Sequence, residues 1–140
     1  EPVAYSELRE LSFGTWEGMS VSEVERNFPG QMKKRMESLA TFQADGGETY
    51  PQLQARVIPK FEKIVALHPN DQIAMVCHGG VNRVILGHLL GIPMDRIFRI
   101  HQDYAALNVI QYYDQEPVVE YIGNAELFAS KKDEIKTAIQ

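Results

Sequence analysis

The sequence predicts an α/β fold, a three-layer sandwich with a mostly parallel sheet flanked by helices, here incomplete at its N-terminal side. Three observations predict it. Apolar runs of strand length alternate with stretches of helical period along the 140 residues. The run "DQIAMVC" passes through "HGG" into a second apolar run that stops at Gly91 and Pro93, a strand–turn–helix unit. The other strand-like runs, "ALNVIQYYD" and "PVVEYIG", are few, so the sheet they build is small or unfinished.

Each element has a local reason. Residues 1–18, "EPVAYSELRELSFGTWEG", read as an extended segment and loop punctuated by Gly14 and Gly18. "MSVSEVERNFPG" is a short helix with Ser20 as N-cap and Glu23 three residues on, ended by Pro29-Gly30. "QMKKRMESLATF" is a second helical stretch and "QADGGET" a loop. From Thr49 a longer helix carries Leu53, Val57, Phe61, Ile64 and Val65 on one face. Pro51 sits in its first turn, where a missing N–H does no harm, and Pro59 lies deeper, where a kink is expected. "DQIAMVC" reads as a buried strand, and the helix after it runs from about Val81 to Leu90. The last two strands suggest a hairpin, and "AELFASKKDEIKTAIQ" a helical tail.

A hydrophobic fraction of 44% and a charged fraction of 24% are those of an ordinary globular chain. The net charge of −5 argues against a nucleic-acid or anionic-membrane surface, and a phosphate ester would need a local basic pocket to overcome it. No apolar run reaches the roughly 20 residues of a membrane span. One cysteine allows no internal disulfide, which fits a cytoplasmic location.

The "HGG" corner at 78–80 offers two chemistries. A Gly-rich turn before a helix presents backbone N–H groups and the positive end of the helix dipole to an anion. Cys77 and Arg83, in "CHGGVNR", have the spacing of a thiolate and a phosphate-clamping arginine, similar to the Cys-x5-Arg loop of protein tyrosine phosphatases. Val84 stands where that family places Ser or Thr, and no general-acid loop is recognisable. A small apolar strand residue is the plainer account of Cys77. An ordinary turn, with glycines for geometry and His78 satisfied by neighbours, or a noncatalytic phosphate-binding module, would also account for the corner.

The rest of the chain bears on His78. "LRELSFGTWEG" at 8–18, "GGET" at 46–49 and "VCHGG" at 76–80 stand in the order and approximate spacing of the histidine phosphatase superfamily, the phosphoglycerate mutase-like proteins. The chain resembles the C-terminal two-thirds of one such domain, residues 1–140. The short connection between "WEG" and "GGET", and the pair Trp16-Glu17, resemble the alpha-ribazole phosphatase group rather than the mutases.

The resemblance implies a metal-independent, cofactor-free phosphomonoester hydrolase acting through a phosphohistidine on a small phosphorylated substrate. It makes Glu10 the proton donor and His78 the second, non-nucleophilic histidine on the phosphate. Gly79 would add an N–H donor, and Glu48 would bind or orient substrate. A helix N-terminal glutamate is favourable in itself, and Glu10 beside Arg9 could be a solvated pair. Arg56 is read as a partner of Glu48 or a solvent-facing residue, and Trp16 and Phe13 as core or pocket wall. The family's Arg-His-Gly nucleophile motif has no match here. The chain is therefore expected to be a fragment, inactive alone, whose exposed sheet edge pairs with a second copy or exchanges a strand.

Overall fold

The structure, a computed structural model, describes residues 1–124. Two 3-10 turns, Ser6–Leu8 and Gly14–Trp16, lead into helices α1 (Val21–Asn27), α2 (Gln31–Glu37), α3 (Tyr50–Leu67) and α4 (Gly79–Leu89). A third 3-10 turn at Met94–Arg99 precedes strands β1 (Ala106–Tyr113) and β2 (Glu116–Asn124).

The helix starts follow from local chemistry. At α1 the Ser20 hydroxyl accepts from the Glu23 N–H at 3.3 Å, while the Glu23 carboxylate accepts from the Ser20 N–H at 2.8 Å. Thr49 and Gln52 make the same reciprocal pair at α3, at 3.2 and 2.8 Å. Each pair satisfies two N–H groups that a helix start leaves without partners. Pro51 lies in the first turn of α3 and Pro59 inside it. Helix α2 ends at Glu37, short of the stretch read from the sequence, and the chain turns through Ser38–Thr41 instead.

Helices α3 and α4 form the core. Leu53, Val57 and Phe61 on α3 meet Val81, Val84 and Ile85 on α4, with Ile97 and Leu11 closing the cluster. A smaller apolar cluster gathers Trp16, Val24 and Ala44, with Phe28 and Phe42 against them. Trp16 is thus a packing residue, while Phe13 is half-buried and touches both clusters.

Strands β1 and β2 form an antiparallel hairpin. Its two-residue turn, Asp114-Gln115, has positive φ at both positions, 48° and 73°, the handedness that suits a tight hairpin. The register shifts between Val109↔Tyr121 and Ile110↔Val119, leaving Glu120 as a bulge.

The sheet among the described residues is this one antiparallel pair, and the mostly parallel sheet read from the sequence is not seen in them. The run "DQIAMVC" is neither a strand nor buried throughout. Gln72–Cys77 make no backbone hydrogen bond among the described residues, and Val76 is 99% exposed. A strand exists only through its neighbour, and β1 pairs with β2 alone. The pattern is still visible in packing: Met75 and Cys77 lie against the α3–α4 core while Val76 points away. The predicted helical tail falls outside the described residues. No helix among them is long and apolar enough to cross a membrane.

The core predicts a contrast in stability. Leu53→Ala should cost about 2–5 kcal/mol in urea denaturation, because Leu53 is fully enclosed. Val76→Ala should stay within about 0.5 kcal/mol. Similar losses at both positions would contradict the exposure of residue 76.

Candidate active site

Helix α4 begins at Gly79, and His78 occupies its cap position with extended backbone, φ −112° and ψ 166°. The His78 carbonyl accepts from the Asn82 N–H at 2.9 Å. Its imidazole is exposed and makes no hydrogen bond among the described residues. The first N–H groups of a helix have no partner within it, so they must find one elsewhere. Gly80 finds Glu10: its N–H donates to Oε2 at 2.9 Å, across 70 residues of sequence. The other oxygen, Oε1, accepts from the Leu11 N–H at 2.8 Å. Gly80 is buried, and a Cβ there would run into the Glu10 carboxylate. The corner therefore needs glycine at this position to admit the acid.

Three of the four residues singled out from sequence, Glu10, His78 and Gly79, thus lie at or beside one corner. No hydrogen bond joins the His78 ring to Glu10. Glu48 sits apart from that contact, engaged with Arg56 through both oxygens at 2.8 Å. The Arg56 guanidinium holds the Glu48 carboxyl below the ordinary carboxylate value of 4.5, with help from the Ser12 N–H and against partial burial. The loop of Glu48 also runs beside the Glu10 segment, with the Glu48 N–H donating to the Ser12 carbonyl at 2.9 Å.

Sequence reading missed a cationic stack beside the corner. Arg35 of α2 lies over the rings of Phe13, Tyr50 and Phe98, 5.7, 5.7 and 5.2 Å from their centres, and donates to the Tyr50 hydroxyl at 3.2 Å. Arg83 of α4 lies 4.9 Å from the centre of the Phe98 ring. Its Nε donates to the Ile100 carbonyl at 3.0 Å and its Nη1 to the Gly79 carbonyl at 3.1 Å. Burial pushes the Tyr50 hydroxyl up, and Arg35, Glu10 and Arg83 all act on it, the two arginines downward and Glu10 upward. In sequence Arg35 is only the third cation of "KKR", with nothing to separate it from a solvated face.

Cys77 is half-buried and packs against the core. Burial and the charge of Glu10 both push its thiol up. That environment disfavours a thiolate, and Arg83 is turned to carbonyls and a ring. Among the described residues no group of three or more His, Cys, Asp or Glu side chains could hold a metal ion. A hollow of about 450 Å³ lies over Thr15, Gln31, Gln43 and Asp45, and contains none of the residues at the corner.

The Glu48–Arg56 pair predicts a pH dependence. A carboxyl held low contributes stability above its ordinary value of 4.5, and that contribution is lost as pH falls toward its value in the fold. Urea denaturation at about pH 6 and about pH 3.5 should show a smaller acid-induced loss in Glu48→Gln than in the parent chain. An unchanged difference between the two pH values would contradict the pairing.

Known proteins resemble this chain in sequence and in fold. The model of the histidine phosphatase superfamily (branch 1) matches residues 1–125. Phosphoserine phosphatase 1 of Hydrogenobacter thermophilus is 25% identical over 119 residues, 85% of this chain and 56% of that protein. The alpha-ribazole phosphatase of Shigella flexneri superposes with a TM-score of 0.73 at 18% identity, over 86% of this chain and 59% of that one. A mycobacterial glucosyl-3-phosphoglycerate phosphatase, solved in complex with VO3, superposes at 0.72 and 22% identity, over 86% and 64%. The chain thus spans about three-fifths of the length of these relatives. With the motifs in order and the family model matched over nearly all of its length, the chain belongs to the histidine phosphatase superfamily, branch 1.

Proposed function

We propose that residues 1–140 are the C-terminal two-thirds of a single phosphoglycerate mutase-like domain whose complete sheet is mostly parallel and flanked by helices. The complete protein is then a metal-independent phosphomonoester hydrolase. The observation that carries this reading is the Glu10–Gly80 hydrogen bond, which joins the acid of one motif to the anion-binding turn of another. The backbone of residues 72–77, open on both edges among the described residues, is where a further strand would be taken up, from a second copy or from another part of the protein.

In this mechanism a histidine outside these 140 residues attacks phosphorus, and the ester oxygen departs with a proton from the Glu10 carboxyl. His78, protonated, and the Gly79 N–H hold phosphoryl oxygens as charge builds on them. Water then attacks the phosphohistidine, giving its proton to the Glu10 carboxylate, and inorganic phosphate leaves. Glu48 acts on the site through Arg56 rather than by touching substrate.

Arg35 and Arg83 suggest the substrate class. Stacked on Phe98 from two helices, they supply positive charge beside the corner in a chain of net charge −5. A second anionic group on the ester, such as a carboxylate, suits them, and phosphoserine and glucosyl-3-phosphoglycerate, named in two of the relatives, both carry one.

Kinetics test the reading with chelator present throughout. Glu10→Gln in the complete protein should lower kcat by about 10²–10⁴ on small phosphate esters. The 140-residue chain alone should show no turnover. Arg35→Ala should raise KM for O-phosphoserine about tenfold or more while leaving that for 4-nitrophenyl phosphate, which lacks a carboxylate, nearly unchanged. Full activity in Glu10→Gln refutes the acid, and equal effects on both substrates refute the carboxylate site.

A further inference from the structure

We infer that Arg56, held by Glu48, is the positioning residue that sets Glu10 against the start of α4. The meaning of this for catalysis rests on the role of Glu10 proposed above; the geometry does not.

Arg56 is among the most heavily engaged side chains described. Its Nε and Nη2 grip the two oxygens of Glu48 at 2.8 Å each. Its Nη1 donates to the carbonyls of Glu7 and Arg9 at 2.7 and 2.8 Å, and its Nη2 donates also to the carbonyl of Glu10 at 3.0 Å. Three carbonyls within four residues therefore converge on one planar group. Those carbonyls accept no backbone N–H among the described residues, and the segment belongs to no strand. The half-buried carbonyls of Glu7 and Glu10 need donors, and here one side chain of α3 supplies them in place of a neighbouring strand.

The pair is well matched to that task. The Arg56 and Glu48 side chains are only 18% and 15% exposed, so solvent competes weakly. Glu48 balances the cation and fixes its plane, leaving the remaining edge to face the carbonyls. The same loop reaches the far side of the segment. The Ser12 N–H approaches Glu48 Oε2 at 3.4 Å, while the Glu48 N–H donates to the Ser12 carbonyl. Residues 7–12 are thus held on both sides of Glu10, with Leu11 buried between them. From that fixed backbone the Glu10 carboxylate meets the Gly80 N–H. A lysine could not substitute: its ammonium has three donors and no planar fork, so it cannot serve the carboxylate and three carbonyls together.

The Gly80 amide reports the positioning directly, because Glu10 Oε2 is its acceptor. Amide hydrogen exchange on the ¹⁵N-labelled complete protein needs no turnover, so its result is independent of whether Glu10 is the catalytic acid. In Arg56→Lys, and in the isosteric Glu48→Gln if Arg56→Lys folds poorly, the Gly80 amide should exchange about tenfold faster or more. The amides of Val84 and Leu86, inside α4, should keep their rates. Unchanged exchange at Gly80 overturns the inference. So does a parallel loss at Gly80, Val84 and Leu86, which would make the pair a support of the fold at large. Loss of activity in Glu10→Gln with unchanged Gly80 exchange in the clamp variants would leave the proposed function standing and remove only the positioning role.

Discussion

The hydrogen bond from the Gly80 N–H to Glu10 is the constraint around which the described structure is arranged. It requires a helix start facing inward, which the α3–α4 core provides through Val81 and Val84. It requires glycine, because a side chain at residue 80 would occupy the space of the carboxylate. It requires Glu10 to be presented from a fixed backbone, which buried Leu11 and the Arg56 hydrogen bond to the Glu10 carbonyl supply. A carboxylate at a helix N-terminus is also favourably placed in the dipole field. Protonation need not dissolve the contact. One oxygen can go on accepting from Gly80 while the other carries the proton, so the acid keeps its place in both charge states.

In the function proposed above, the same corner resolves a conflict in the charge balance. A chain of net charge −5 should repel a phosphate ester at a distance. Within about 10 Å, however, the local arrangement decides, because longer-range fields are screened by salt. Arg35 and Arg83 bring two cations against the Phe98 ring. Aromatic faces hold guanidinium groups without neutralising them, whereas a carboxylate partner would cancel their charge. Arg56 shows the contrast. It is paired with Glu48 and directed at backbone carbonyls, so its charge is already answered within the fold.

What could be read from sequence follows the range of the interactions. The caps of α1 and α3 depend on residues three apart, and Ser20–Glu23 was legible because its physics is local; at α3 the start at Thr49 was read, while the reciprocal bond to Gln52 was not. The hairpin was legible as two apolar runs close in sequence. The run 72–77 was misjudged for the opposite reason: its apolar residues are suited to a strand, but pairing is a property of two segments, and no second segment lies beside it among the described residues. Glu10, His78 and Gly79 were singled out through motif order, and the fold brings Glu10 to the start of α4. Arg35, Tyr50 and Phe98 were invisible because they meet only after α2, α3 and the turn at Met94–Arg99 come together. Arg56 was read as a partner of Glu48, which it is, but its three carbonyl contacts carry no pattern in the sequence.

This division of labour leaves the site asymmetric. Glu10 is restrained at both carboxylate oxygens and at its own carbonyl. His78 is restrained through its backbone, as the cap of α4, while its ring makes no hydrogen bond among the described residues. Preorganisation matters most for the group whose proton must move along a defined line, since hydrogen-bond strength falls steeply with angle. A histidine that answers a doubly or triply charged phosphoryl group is guided by the anion itself, and a free ring can turn to meet it. The hydrogen bonds from Leu11, Gly80 and Arg56 thus converge on residue 10 rather than on residue 78, and in the mechanism proposed above this fixes the acid and leaves the ligand to orient the imidazole.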